Sequence, residues 1–478
     1  MSQRIRDSVI SYATTYISVA ILFATSMLLA RILTPEEVGV SSVSYAVIAL
    51  ANIFRDLGIA NYIHTSKDLT KTTFQTCLGV SIAFGVFLFV LTITFANLAT
   101  QLNYDKRVAQ CLMILSINFL LIPPQATISA IFVRHGQQIK ILISVVSAGI
   151  IYLISSWTLA TAGASYLTTP IASVISSLLG VLIIHSIRHK EYPITPRLLN
   201  LRQVITISFH PFLNGLAKTG SERAPELSIA WNVVGYSQVA YYEKGATAVE
   251  FARRLTFDSV NQLFVPRFRK AISNTESLKS LCSEYISLAF TLGTPVTVML
   301  WLCAPELISL LFGTNWVASA NVLKILCIAI PALFAVYATG QSAYFLDLHS
   351  KFTNSILILR AIEIIFIVLI GYYKTEYVPW AVVTSEYSIA IFLIARFRKI
   401  FNFNWLTLRL IIVVITNLVC TALTFGFNYI NQTANESPLY VILSNILLFI
   451  VIWAPITLVT LFKNEVKNIW SDLRIRPK

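Results

Sequence analysis

Long apolar runs, broken at short intervals by a few polar positions, dominate this chain. Fourteen of them reach the ~20 residues that a helix needs to cross ~30 Å of hydrocarbon: near 8–30, 40–62, 73–97, 108–131, 139–160, 165–187, 204–231, 236–265, 281–303, 318–342, 352–373, 378–396, 405–428 and 439–462. None alternates with period two, and all are too long for the strands of a membrane barrel. The first run follows Arg4 and Arg6, as the core of a signal peptide would. It continues past ~20 residues with no small-residue cleavage site, so it reads as a retained helix. The pattern predicts an all-α, polytopic membrane protein of about fourteen transmembrane helices.

Composition agrees. The chain is 56% hydrophobic and only 12% charged, against roughly 25% charged in soluble domains. Too few charges remain to cover soluble surfaces, so lipid must cover most of the protein. With the N-terminus in the cytoplasm, 23 of the 36 Lys and Arg fall at cytoplasmic ends of spans, and four (Arg31, Lys106, Arg107, Lys374) fall at outer ends. The positive-inside rule therefore predicts that both termini are cytoplasmic. It also accounts for the net charge of +14 through topology and anionic headgroups, without nucleic acid as a partner. The six cysteines lie in or at the ends of spans without metal spacing, and read as small apolar residues. The histidines form no cluster, so no metal is expected.

Two segments resemble one another across the chain. Leu33-Thr34-Pro35-Glu36-Glu37-Val38-Gly39-Val40 joins the first two spans, and Val234-Gly235-Tyr236-Ser237-Gln238-Val239-Ala240-Tyr241 joins the seventh and eighth. Val108–Leu115 and Ser319–Leu326 open the fourth and tenth spans, each with a proline further on (Pro123, Pro331). The offsets are 201 and 211 residues. Six spans separate the repeat starts, an even number, so the halves are parallel; chance similarity between apolar segments is the alternative. The expected organisation is a six-helix lobe over 1–200, a second over 201–400, and two additional helices with a basic tail over 401–478. Two such lobes would work by rocking in alternating access.

Ionisable residues inside spans cost ~2.5–3.5 kcal/mol each even on the lenient insertion scale, and mark function by default. They crowd into spans seven and eight: Lys218, Glu222, Arg223 and Glu226, then Glu243, Lys244, Glu250, Arg253, Arg254 and Asp258. Span two adds Arg55 and Asp56. At ~100° per residue, Lys218 and Glu222 share a face, as do Glu243, Glu250 and Arg254. Such stripes must face water or one another, and the basic members suit an anionic group such as pyrophosphate. An ion-pair network that only holds helices together is the other reading. So is a pair of amphipathic helices lying at the interface, which would leave twelve spans. Arg360 and Glu363 read as a structural pair, and Glu386 as a weak candidate for proton coupling. No phosphate-binding loop, HExxH or GxSxG motif occurs, so the chain is not expected to be an enzyme.

Leu29-Ala30-Arg31-Ile32-Leu33-Thr34-Pro35-Glu36-Glu37-Val38-Gly39 resembles the LAR-x-L-x-P-E-x-x-G turn of bacterial polysaccharide-unit flippases. Arg55-Asp56-Leu57-Gly58 resembles their D-x-G element. Leu311-Phe312-Gly313 with Trp316 and Val322–Leu326 resembles their second-half signature. These flippases belong to the multidrug/oligosaccharidyl-lipid/polysaccharide exporter superfamily. The resemblance implies a V-shaped pair of six-helix lobes in the bacterial inner membrane. Its substrate would be undecaprenyl-pyrophosphate-linked oligosaccharide, moved to the periplasmic leaflet for surface polysaccharide. It further implies no cofactor beyond a coupling ion (proton or sodium), a monomer, and polysaccharide polymerase and chain-length proteins as partners. The matching motifs supply Arg31, Arg55 and Asp56. Lys218, Glu222, Arg223, Lys244, Glu250, Arg253 and Arg254 rest on the charge argument alone. A lipid II or multidrug exporter of the same superfamily stays open, because spans two, seven and eight carry six basic against six acidic residues. A membrane-embedded polymerase or ligase would need catalytic groups at the outer face, where only short loops are expected.

Overall fold

The computed structural model describes residues 3–401 except 66–68, 103, 189–190, 199–200, 233–234 and 272–274. Every regular element among them is helical: α1 (Gln3–Ile32), α2 (Pro35–Asp56), α3 (Ile59–Thr65), α4 (Lys71–Gln101), α5 (Lys106–Ser116), α6 (Asn118–Arg134), α7 (Gln138–Thr161), α8 (Thr168–Ile187), α9 (Leu201–Asn232), α10 (Ser237–Ala271), α11 (Thr275–Leu302), α12 (Ala304–Phe312), α13 (Ser319–Leu326), α14 (Ile330–Phe345), α15 (His349–Tyr373) and α16 (Val378–Phe401). Ten segments are long and apolar enough to cross a bilayer: α1, α2, α4, α5 with α6, α7, α8, α11, α13 with α14, α15 and α16. The expected spans at 405–428 and 439–462 lie outside the described residues. The expected spans at 204–231 and 236–265 are α9 and α10, of 32 and 35 residues. Both exceed the ~20 residues of a crossing; their composition, not their length, keeps them out of the ten.

Local chemistry sets the helix ends. Thr34 caps α2 in a reciprocal box with Glu37, and Pro35 supplies the first-turn φ. Leu57 and Gly58, both at positive φ, end it. On α4, Val86, Phe87, Val90, Leu91, Phe95 and Leu98 are exposed along one face, as a lipid-facing surface requires.

By packing, the chain separates into two compact units: Met1–Glu243 with Arg360–Glu376, and Lys244–Leu359 with Tyr377–Lys478. The division falls within α10 and again within α15. In the first unit α1 packs on α7, α7 on α8, α4 on α5 and α6, and α2 on both α5 and α9. An apolar cluster of Ile59, Tyr62, Ile63, Phe74, Ile131 and Phe132 fills one end, with Tyr192 and Ile194 packed against it. In the second unit α11 packs on α14, and α14 on α16.

A local repeat is visible inside each unit. The fourth span is broken into α5 and α6 at Ile117, and the tenth into α13 and α14 by a 3₁₀ turn at Cys327–Ala329. A glycine on the preceding spanning helix sits at each break. A Cβ on Gly85 would stand 2.2 Å from the Phe119 carbonyl oxygen and 3.2 Å from Pro123. A Cβ on Gly293 would stand 2.9 Å from the Cα of Pro331. Broken helix, proline and glycine thus recur together in the two halves of the sequence.

Candidate functional site

The charged helices follow spanning ones. Gly215 of α9 lies against Ile53 of α2, and the Tyr236 carbonyl beyond α9 lies against Gly39 near the start of α2. The two helices are therefore antiparallel neighbours over about four turns of α2. In the second unit Gly245 of α10 abuts Val322 of α13, Phe257 meets Phe334 and Tyr337, and Phe268 stacks on Phe345. Over this stretch α10 runs parallel to a candidate span for ~35 Å. Both helices travel with segments that can cross the bilayer, and neither lies flat on them.

The ten expected site residues divide between the units. Six are in the first. Arg31 stands exposed at the end of α1. Arg55 is buried, gives Nε and Nη2 to Oδ1 of the adjacent Asp56 at 2.8 and 2.6 Å, and leaves a buried Nη1 with no acceptor among the described residues. Lys218 and Glu222 form a loose exposed pair at 3.9 Å. Arg223 donates from Nη1 to both oxygens of Glu226, at 2.8 and 3.1 Å. Here exposure differs sharply: the Arg223 side chain is 37% exposed and that of Glu226 5%. Glu243, in the second turn of α10, accepts from Ser42 of α2 at 2.7 Å.

Four are in the second unit. Lys244 is buried, with Nζ over the rings of Phe312 and Trp316 at 5.7 and 5.5 Å. Glu250 accepts from Nε and Nη2 of Arg253 at 2.6 and 2.7 Å and from Arg254 at 2.7 Å. Arg253 also reaches Asp258 at 3.7 Å and covers the Tyr337 ring. Glu250 and Arg254 remain partly open. In each unit a carboxylate one turn away braces an arginine that is still partly accessible, which suits recognition of an anion by a planar guanidinium.

Two further clusters are tied into the first unit. Arg360 and Glu363 of α15 meet at 2.7 Å, and Ser221 of α9 donates to Glu363 at 2.5 Å. That triad is closed and buried, in keeping with the structural reading of the pair. In the first turn of α2, Glu36 accepts from the Tyr236 and Ser237 N–H groups and the Ser237 hydroxyl, at 2.8, 3.1 and 3.1 Å. Its other oxygen accepts from Arg107 at 3.1 Å, which Asp105 grips at 2.7 Å. Glu37 is held by the Ser165 hydroxyl. Glu36 was visible in the sequence only as part of a turn motif. Its role as a cap on α10 depends on a contact 200 residues away, which no local pattern encodes. Among the described residues no group of His, Cys, Asp and Glu could hold a metal ion.

Comparison with known proteins places this geometry. The family model described as "Polysaccharide biosynthesis protein" matches residues 28–321. The chain is 24% identical over 340 residues to the "Lipopolysaccharide biosynthesis protein WzxC" of Escherichia coli (strain K12), covering 66% of this chain and 64% of that protein. It is also 24% identical over 329 residues to an "Uncharacterized membrane protein in cps region" of Klebsiella pneumoniae, covering 64% of each. The matches thus span just under two thirds of the curated relatives' length. Among solved structures, "Lipid II flippase MurJ, inward closed conformation" is similar with a TM-score of 0.80 at 13% identity, over 96% of this chain and 100% of that one. An inward-facing multidrug resistance MATE family transporter follows at 0.64 and 13% identity, over 85% and 99%. These likenesses establish the fold of the multidrug/oligosaccharidyl-lipid/polysaccharide exporters, a multi-pass membrane architecture. The chain belongs to the polysaccharide biosynthesis protein family.

Proposed function

We propose that this protein flips undecaprenyl-pyrophosphate-linked oligosaccharide units from the cytoplasmic to the periplasmic leaflet of a bacterial inner membrane, by alternating access, with both termini in the cytoplasm. The observation that carries the reading is the pair of carboxylate-braced, partly open arginine sets on α9 and α10, two helices that follow spanning segments. Fixed cations in a low-dielectric setting fit a diphosphate. Family membership and the printed function of the Escherichia coli relative support the polysaccharide assignment.

Within the first unit the start of α10 runs parallel to the start of α2. Glu36 bonds Ser237 and Ser42 bonds Glu243, and each pair is 201 residues apart, the offset of the repeat. Taking each unit by itself, we assign recognition of an anionic group, or support of a residue that makes it, to the partly open Lys218, Glu222 and Arg223 of the first and to Glu250, Arg253 and Arg254 of the second. For the buried Arg55 with Asp56, and for Lys244, we assign the holding of helices. Arg31 belongs to the family turn. A coupling ion, polymerase and chain-length partners, and a monomeric state complete the proposal; no catalytic residue is assigned.

The test is single replacement of Lys218, Arg223, Arg253 and Arg254 by Ala in a strain lacking the chromosomal copy, with surface polysaccharide as the readout. Loss of at least ~90% is expected from Arg223 and Arg254, since removing a charge-assisted contact is worth about 1.5–3 kcal/mol. Normal polysaccharide from all four, at normal protein levels, would reject the site.

A further inference from the structure

Glu226 does more for α9 than a brace requires. It is the most deeply buried carboxylate of the charged pair helices in the first unit, at 4% exposure. Both its oxygens accept from one nitrogen of Arg223, Nη1. Neither bond uses Nη2, and the Nε of Arg223 is buried with no acceptor among the described residues. The guanidinium therefore has one edge committed to Glu226 and donors to spare. Glu222 on α9, paired with Lys218, and Glu243 on α10 both act electrostatically on Arg223 and Glu226. Tyr152 of α7 lies beyond, within reach of Glu243. Arg360 and Glu363 of α15 are engaged with Ser221.

A diphosphate arriving at Arg223 would place further negative charge beside a buried carboxylate. One guanidinium cannot compensate both anions at low dielectric. The carboxylate can be relieved without moving: one of its oxygens takes a proton and becomes a donor, while Arg223 turns its charge to the ligand. We propose that Glu226 takes up a proton from the aqueous phase when an anionic diphosphate binds Arg223, so that anion and proton bind this site as a unit. This rests on the reading of Arg223 as a headgroup ligand given above. Linkage is reciprocal: protonation of Glu226 strengthens anion binding by the same factor.

The experiment uses the full chain in detergent with inorganic pyrophosphate as probe. Heats of binding are measured at pH 7 in buffers of different ionisation enthalpy, which yields the protons taken up. Wild type is expected to take up more protons than Glu226→Gln, by about one per pyrophosphate, and E226Q to bind about tenfold tighter at pH 8. Glu226→Asp keeps the proton uptake, and stands in should E226Q not accumulate as folded protein. Equal uptake by wild type and E226Q, or by wild type alone no more than pyrophosphate itself contributes, would overturn the coupling. A different result separates the underlying reading: if wild type binds no pyrophosphate, or Arg223→Ala binds it equally well, the anion site itself fails and the inference falls with it.

Discussion

Asp105 shows how one side chain can organise an end of this molecule. It caps α5 by accepting from the Arg107 N–H at 2.8 Å and grips the Arg107 guanidinium with both oxygens. The Arg107 guanidinium bonded to it holds the Asp105 carboxyl below its ordinary range, against a smaller opposing effect of burial. The sign follows: with a folded value below the unfolded one, the stabilisation is fully present at neutral pH. It fades as pH falls below the unfolded value of about 3.9 and through the folded one. Thermal unfolding of Asp105→Asn should therefore lose part of the decline that wild type shows below about pH 4, while near pH 7 the variant unfolds at lower temperature than wild type. Identical acid profiles would show that the Arg107 bond has no energetic weight. The sequence marks Arg107 only as one of four outer-end cations. It gives no hint that the residue bridges Asp105 to Glu36.

At the scale of elements, α2 and α10 meet so closely that a single methyl group decides the spacing. A Cβ on Gly39 would stand 1.9 Å from the Tyr236 carbonyl oxygen, 2.5 Å from its carbon and 2.7 Å from its Cβ. Backbone cannot yield as a flexible side chain can, so Gly39→Ala must push the α10 cap away from α2. Overpacking of this kind costs about 1–3 kcal/mol, and it lengthens the Glu36 bonds as well. Hydrogen exchange of the Tyr236–Ala240 amides should accelerate in Gly39→Ala while that of α7 and α8 stays unchanged. Unchanged protection at the α10 start would contradict the packing. The helices themselves were legible: apolar run length gave every one of the ten candidate spans, and the paired octets with their prolines marked the two spans that prove to be alike. The broken character was not, because a run of apolar residues reads the same whether the helix is continuous or interrupted at Ile117 or Cys327.

For the whole molecule, the strongest expectation concerns direction. The charge asymmetry places the turn at Gly163 outside and the segment at Arg197 inside. Single cysteines at those positions, in a variant lacking the native ones, should react with a membrane-impermeant thiol reagent from the outside only at 163. Labelling from outside at both would reject the orientation. The units defined by packing also show what lies beyond a linear reading. By sequence the chain divides near residues 200 and 400. By packing, the second half of α15 and the first turns of α10 group with the first 232 residues, because Ser221, Ser228 and Ser42 reach their partners there.

The sequence by itself determined the solvent. Long apolar runs recurring along the chain call for lipid, and the placement of lysine and arginine predicts their direction, since both effects act on composition summed over a segment. It also located the charged helices, because an ionisable residue within a span stands out against any apolar background. Only the tertiary structure decided what those charges do. Whether an arginine on α9 faces lipid, a carboxylate or an open edge depends on which helix lies beside it. That is why Arg223 and Glu226, three residues apart on one helix, prove so different in exposure, and why Lys244, alike in sequence, is buried between aromatic rings.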